Sequence, residues 1–574
     1  MGRTLKDCIP VISFLSVFIY SLALYPFAFN FEENERGNYT IAFLTIFSAT
    51  TYSLLSVFDK EDKLGYSNFI FFILLGFEVY WISTGNEYAS VVGAFCIQSC
   101  LLNFLSIERL KIIMYAIVAL YIAQIIFGGY SLIDDDKHSL EGSLHNSGVF
   151  SMFSIIFIPL FSYLMQKHFE GKLFKILYSV YILVIILIIL LTKSRTSLIA
   201  VIIVFVLPLC ISWIKTQTTA LKAILSFLTI FFGILIFNYL YFLKSGSSSG
   251  RLLMLEVAFS HVKDNFWFGL GLGKFTWYYP QWQADYFKSF FNPSPSYFLS
   301  AGETYVVFNE FLQLFITIGA VGFIPISILL IRLFRIKPRI EEKLFKMIKT
   351  TFLLILCCSL TYYAIHVNTI LLLISLFVVV SAKVYQVAPL FPVRGFNIYG
   401  KILVFSAAFL SLIFSFQKYY ATLKWSETKS GISNFVDIHK PESNFIFSAL
   451  QNDGKFLAEY GNYIFEHGGD LKTPTDYLER SKHTFISRKS VENLAYLYLQ
   501  QKQYENAAEN FEWLVNYMPN IYSYRLELLR IYQKTTLNSK AKKMALEILK
   551  MPVKIPSKEV DLIKLETISI YKQL

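Results

Sequence analysis

From about residue 8 to residue 421 the chain is a succession of apolar runs of roughly 18–24 residues, divided by short polar turns. Each run is long enough to cross ~30 Å of hydrocarbon as a helix. The pattern predicts spans near 8–30, 40–58, 67–84, 88–106, 110–130, 147–166, 174–192, 195–213, 220–243, 306–333, 348–366, 368–386 and 402–421, about thirteen in all. The first run is too long and too weakly terminated for a cleaved leader and reads as a signal anchor. One long loop, 244–305, interrupts the series. Beyond 421 the character changes. Residues 422–450 form a polar connector, and 451–574 read as soluble amphipathic helices with a period of about 34 residues.

Within that tail, Leu494, Ala495, Tyr498, Tyr504, Ala507, Phe511 and Pro519 fall in the order of a tetratricopeptide-like hairpin. Ala507 lets two helices approach, Tyr498 and Phe511 fill the gap between them, and Pro519 ends the second helix. Tyr532 and Ala541 continue the pattern one period on, and a degenerate copy runs from Phe456 to Arg480. A generic stack of helical hairpins is the competing reading. In both, the tail is a docking or scaffold surface, expected to be removable without unfolding the rest. The predicted fold class is all-α: a polytopic membrane helix bundle, residues 1–421, followed by a C-terminal α-solenoid, 451–574.

Composition agrees and sharpens the class. Of 574 residues 55% are hydrophobic and 16% charged, and the mean hydropathy is +0.50. These values exclude a soluble enzyme and a disordered chain. The net charge of +12 would point to nucleic acid in a soluble protein. Here cations collect in cytoplasmic loops and no nucleic-acid partner is expected. With the N-terminus inside, alternate loops carry Lys60/Lys63, Arg109/Lys111, Lys167/Lys172/Lys175, Lys215/Lys222, the dense set from Arg332 to Lys349, and Lys383/Arg394/Lys401. The opposite loops hold Glu32, Glu33, Glu35 and Asp134 to Asp136. Roughly 21 basic residues fall inside against roughly 9 outside. An odd number of spans then places loop 244–305 and the C-terminal tail outside. The six cysteines lie in or beside apolar runs without metal-ligand spacing and are expected to be free thiols.

Charges at the outer ends of spans need a reason, because burying one in lipid costs about 2.5–3.5 kcal/mol. Lys193-Ser194-Arg195-Thr196 forms a very short outer turn. It reads as an anion site, since a guanidinium forks onto phosphate oxygens, or as helix-end snorkelling. Gly246 to Gly250 is a Gly/Ser stretch expected to be flexible, delivering Arg251 beside an amphipathic helix, 252–262, lying along the membrane. Gly269-Leu270-Gly271-Leu272-Gly273 superficially has the look of a nucleotide loop. It lacks a preceding strand, and a turn requiring positive φ is the stronger reading. Glu303 and Asn309-Glu310 precede or open an apolar helix. A carboxylate there is stabilised by the helix dipole, or serves as a general base. His145, at the start of the sixth span, is a further outer-face candidate. The span centres are nearly free of ionisable groups, which argues against a transporter.

These residues together resemble the O-antigen ligase and polymerase superfamily. The resemblance covers about 140–335: His145-Asn146-Ser147-Gly148, Ser194-Arg195-Thr196, Gly250-Arg251 with Glu256, Gly269-Leu270-Gly271 with Phe275, and Asn309-Glu310-Phe311-Leu312-Gln313 followed by Gly319 and Gly322. A helical-repeat tail is similar to that of members from Bacteroidetes-type bacteria and of some protein O-oligosaccharyltransferases. The resemblance implies a glycosyltransferase of the bacterial inner membrane, without metal or other cofactor. It would move a glycan from undecaprenyl diphosphate to an acceptor hydroxyl on the periplasmic face. The acceptor would be lipid A core or another glycolipid, with a protein acceptor, a polymerase activity or a lipid-linked glycan transporter as alternatives. Outer-face arginines of the family bind diphosphate and map onto Arg195 and Arg251, with Lys193 beside them. The family also has a histidine directly before Asn-Glu, where this chain has Phe308. Glu310 and Glu303 then lead as candidate bases, followed by His145, with Asn309 in the same motif. The repeats imply contacts with periplasmic proteins.

Overall fold

The structure, a computed structural model, describes residues 2–24, 26–27, 35–58, 66–132, 140–242, 245–289, 294–336, 341–385, 398–429, 441–467 and 470–574. Lys60, Lys63, Glu32, Glu33, Asp134 to Asp136, Lys337, Arg339 and Arg394 lie outside the described residues. Among those described, every regular element is helical, and the single β-bridge, Phe27 with Val367, stands alone.

Helices occupy all the predicted apolar runs: Gly2–Ala23, Glu35–Phe58, Tyr66–Ser83, Glu87–Asn103, Ile107–Tyr130, Ser147–His168, Gly171–Thr192, Arg195–Lys215, Thr219–Phe242, Glu310–Arg335, Glu342–Ser359, Asn368–Tyr385 and Ile398–Lys429. Among the described residues nine of them are long and apolar enough to cross a membrane. Glu87–Asn103 is shorter than that standard, and Glu342–Ser359 misses it because Lys343, Lys346 and Lys349 occupy its first half. The Arg195–Lys215 segment widens into a π-helical turn, Ile202–Val206, just before Pro208. Proline offers no N–H, so the regular ladder is lost there.

The chain packs as two compact units. The first comprises Met1–Phe231, Asn309–Phe311 and Ile324–Ala449, and the second Phe232–Phe308, Leu312–Phe323 and Leu450–Leu574. In the first, lipid supplies no hydrophobic force between helices, so small polar side chains help join them. Ser13 donates to Gln98 Oε1 at 3.0 Å, Thr50 to the Ala408 carbonyl at 3.0 Å, and Ser411 to that of Leu75 at 3.1 Å. The last helix, Ile398–Lys429, seals the apolar layer formed by Ala49, Tyr52, Phe71 and Leu75 with its own Val404 and Ala408. It continues past the expected end at 421 because Ala421, Thr422 and Trp425 extend its buried stripe.

In the second unit the helices Ser245–Ser260, Phe275–Ser289 and Pro295–Ser300 belong to the predicted long loop. Leu253, Val257, Phe275, Tyr279 and Trp282 form its core, joined by Val307 and Ile316. One expectation changes here. The Gly/Ser stretch is helical, being the first turns of Ser245–Ser260. A Cβ on Gly250 would stand 3.5 Å from the Ser300 carbonyl oxygen, so the small residues serve close helix packing rather than flexibility. Leu253, Val257 and Ala258 of that helix are buried in protein, while Leu252 and Phe259 are exposed. The tail helices beginning at Gly454, Arg488 and Tyr522 recur at about 34 residues, and Ala507, Phe511 and Ala541 are fully buried between them.

The loop folds onto this tail. Trp277 Nε1 donates to the Lys482 carbonyl and Gln283 Nε2 to that of Tyr517, both at 2.7 Å. Asn520 Nδ2 donates to the carbonyls of Leu299 (3.0 Å) and Ala301 (2.8 Å). Deleting 451–574 is expected to leave the first unit folded while the segment 275–303 loses its partners. Limited trypsin digestion checks this: cleavage after Lys274 or Lys288 should appear only in the truncated protein, and equal protection in both would refute the packing.

The Glu310–Arg335 helix is interrupted at Gly319, where φ is 63° and ψ −174°, a region essentially restricted to glycine. The break deprives four backbone groups of intrahelical partners, and the segment 266–271 supplies all four. Leu270 N donates to Ile316 O (2.8 Å), Gly271 N to Thr317 O (2.9 Å), Ala320 N to Phe266 O (2.8 Å) and Val321 N to Trp267 O (3.0 Å). Gly269, Gly271 and Gly273 all have positive φ, so the glycine triplet is a turn. A Cβ on Gly269 would meet the Thr317 backbone at 2.5 Å. Gly319→Ala is expected to destabilise the protein by about 1–3 kcal/mol or more, from strain alone. Thermal unfolding in detergent measures it, and a wild-type midpoint would contradict the role given to the break.

Candidate functional site

The site is organised by the segment 360–366, which joins the Glu342–Ser359 and Asn368–Tyr385 helices. Its turn, Ala364–His366, is a short 3-10 helix. Side chains from three other helix starts converge on it. Asn146 caps the Ser147–Ile156 helix: its Oδ1 accepts from Val149 N at 3.1 Å and from the Tyr362 hydroxyl at 3.0 Å. Its Nδ2 lies 3.5 Å from the Tyr363 hydroxyl. Tyr362 and Tyr363 stack at 4.3 Å. A Cβ on Gly148 would press to 2.9 Å on the Tyr362 hydroxyl, which accounts for the glycine. His145, one residue before Asn146, is exposed in a left-handed conformation with φ 50°.

Ser194 caps the next helix, and Arg195 is its first residue, half-buried. Thr196 and Thr361 share a hydrogen bond of 3.0 Å between their hydroxyls. This sets Arg195 beside the 360–366 segment. Lys193 ends the preceding helix in a left-handed turn and is exposed.

Asn309 Nδ2 donates to the Leu360 carbonyl at 3.2 Å. Glu310 Oε1 accepts from Ile365 N (2.7 Å) and His366 N (3.3 Å), and His366 Nδ1 lies 2.9 Å from the same oxygen. Both side chains are 3% exposed, and the Tyr88 ring stacks on His366 at 5.5 Å. Glu310 is thus the acceptor that closes the 364–366 turn.

The remaining candidates belong to the second unit. The Arg251 guanidinium carbon lies 4.6 Å from the centre of the Phe308 ring, a cation–π contact. Phe308, at the position where the resemblance expects histidine, therefore keeps a flat ring against an arginine. Glu303 Oε1 accepts from Arg488 N at 2.8 Å and from the Tyr305 hydroxyl at 2.6 Å. It caps the Arg488–Gln500 helix, so it is tied to the tail. Glu256 accepts from Tyr286 at 3.0 Å. Burial first, then this bond, push the Tyr286 phenol up to about 12.

Thr361, Tyr362, Tyr363 and His366 were not read as site residues in the sequence. Their signal was present as the polar-aromatic stretch Thr361-Tyr362-Tyr363 with His366 between two apolar runs. The predicted span 348–366 absorbed it, whereas the helix ends at Ser359. Among the described residues no cluster of His, Cys, Asp and Glu is arranged to hold a metal ion, and all six cysteines are free.

Removing Glu310 leaves three donors of a buried turn without their acceptor, and each such loss costs about 1–3 kcal/mol. Glu310→Ala is expected to lower stability strongly, and Glu310→Gln, which keeps one acceptor oxygen, much less. Thermal denaturation of the pair in detergent distinguishes them; equal stability of both with the wild type would remove Glu310 from this role.

Residues 180–327 match the family model described as O-antigen ligase. Arg195, Arg251, Glu303, Asn309, Glu310 and Gly319 fall within the match, and His145 and the 360–366 segment outside it. No curated protein and no solved structure matches the chain. Together with its apolar helices, that match makes this a multi-pass membrane protein that carries an O-antigen ligase domain.

Proposed function

We propose that this membrane glycosyltransferase moves a glycan from undecaprenyl diphosphate to an acceptor hydroxyl, on the periplasmic face of a bacterial inner membrane. In this reading the N-terminus is cytoplasmic and the tail, a tetratricopeptide-like solenoid, periplasmic. The observation that carries it is Arg195 at the first turn of its helix, beside a segment on which Asn146, Thr196, Asn309 and Glu310 all converge. A fixed cation at a helix start, among hydroxyls and amides, suits a diphosphate.

The reaction breaks the bond between the anomeric carbon and the diphosphate oxygen and forms one to the acceptor oxygen. The hydroxyl proton is lost and undecaprenyl diphosphate departs with the bonding electrons. Arg195 stabilises charge growing on that leaving group, and Arg251, held against Phe308, is assigned the same task. Lys193 adds positive potential at the turn. Glu310 is given a positioning role, since taking a proton would weaken all of its hydrogen bonds to the 364–366 turn. Glu303 likewise positions the loop against the tail. Of the candidate bases this leaves His145, exposed and unburdened by a helix cap, as the proton acceptor of choice. The acceptor substrate is read as lipid A core or another surface glycolipid. A protein hydroxyl is the second reading, favoured by the helical hairpins that share a unit with the loop.

The test uses full-length protein in vesicles with an undecaprenyl-diphosphate glycan and candidate acceptors. Removing one preorganised charge at a developing anion costs about 10²–10³ in rate, so Arg195→Ala and Arg251→Ala should each lose transfer by at least that order while remaining folded. Wild-type rates in both would overturn the site. Transfer to lipid A core supports the ligase, and transfer to a peptide Ser or Thr the second reading.

A further inference from the structure

Between the Ser245–Ser260 and Phe275–Ser289 helices, three aromatic side chains stand in a row at the surface. Phe266 is 44% exposed, Trp267 63% and Phe268 78%. Three consecutive large aromatics facing outward are costly in water and mark a contact with something apolar. Their backbone fixes where they stand. Phe266 O and Trp267 O accept from Ala320 N and Val321 N, and Leu270 N and Gly271 N donate to Ile316 O and Thr317 O. The Phe266 ring also meets Phe315 edge-on at 5.4 Å. The segment is therefore level with Gly319, inside a helix that is long and apolar enough to cross a membrane.

At ~1.5 Å per residue, Gly319 lies about 13 Å along that helix from Glu310, against a hydrocarbon half-thickness of ~15 Å. Val321, which pairs with Trp267, is itself 54% exposed, so the aromatic row continues the lipid-facing side of the helix. Lys263 and Lys274 flank the segment and are exposed, as expected where a chain enters and leaves the interface.

We propose that Asn265–Gly271 is a re-entrant loop that carries Phe266, Trp267 and Phe268 into the acyl chains of the leaflet nearer Glu310. Its partner is membrane hydrocarbon. The four backbone bonds make this depth tolerable, because non-helical backbone survives in a bilayer only where protein satisfies it. The loop anchors the same helix whose first turn holds Asn309 and Glu310. This inference does not depend on the donor or acceptor proposed above.

Depth-dependent quenching tests it. Full-length wild type and Trp267→Phe are reconstituted in phosphatidylcholine vesicles whose acyl chains are brominated, and the difference in emission isolates Trp267 among the seven tryptophans. Its signal should fall at least two-fold in brominated lipid and respond little to aqueous acrylamide. Phe268→Trp in the otherwise wild-type chain adds a reporter instead of removing one and should behave the same way. If acrylamide quenches either difference signal more strongly than brominated lipid does, the loop faces water and the proposal fails.

Discussion

Backbone N–H and C=O groups withdrawn from water must find partners, and the Glu310–Arg335 helix shows how far the protein goes to meet that demand. Each unpaired group in hydrocarbon costs several kcal/mol, whereas positive φ at a glycine costs little. The break at Gly319 is tolerable only because four groups are repaired by 266–271. At the helix start the same rule operates in reverse. The turn 364–366 has N–H groups pointing inward, and the Glu310 carboxylate accepts them. Both ends of this arrangement fix the first turn of the helix, and with it Asn309.

That constraint decides how the acidic candidates act. A carboxylate surrounded by N–H donors is a good clamp, each charge-assisted bond contributing about 1.5–3 kcal/mol. Glu303 is engaged in the same manner at the start of the Arg488–Gln500 helix. A guanidinium offers several donors in one plane, and one face of Arg251 packs on Phe308. The contribution of Phe308 to that contact is its flat electron-rich face.

The helices of the membrane part were legible because a span needs only a long apolar run, and nothing distant has to agree. The positive-φ turn at Gly269 to Gly273 was legible for an equally local reason. Partners separated by tens or hundreds of residues were not. Nothing in the sequence near Trp277, Gln283 or Asn520 shows that their donors reach carbonyls more than two hundred residues away. Glu310 and Arg195 could be singled out as charges at helix starts, but the 360–366 segment they share was hidden. Tyr362 and Tyr363 are apolar enough to be counted into a span, and only the observed helix end at Ser359 separates them from it. The Gly/Ser stretch misled for the opposite reason: small residues permit flexibility and close packing alike, and Ser300 decides in favour of packing.

The bonds between loop and tail are directed mainly at backbone. Asn520 binds carbonyls of Leu299 and Ala301, Glu303 binds an amide at Arg488, and Trp277 and Gln283 bind carbonyls of Lys482 and Tyr517. Such contacts specify the path of the chain more than the identity of its side chains, so the tail acts on the loop as a mould. Leu299, Ala301 and Glu303 are held in this way, and they run directly into Tyr305, Phe308 and then Asn309-Glu310. A mould for that stretch sets where Phe308 and Arg251 stand without the tail touching any reacting group. A stack of helical hairpins can thus serve a membrane protein by shaping a loop.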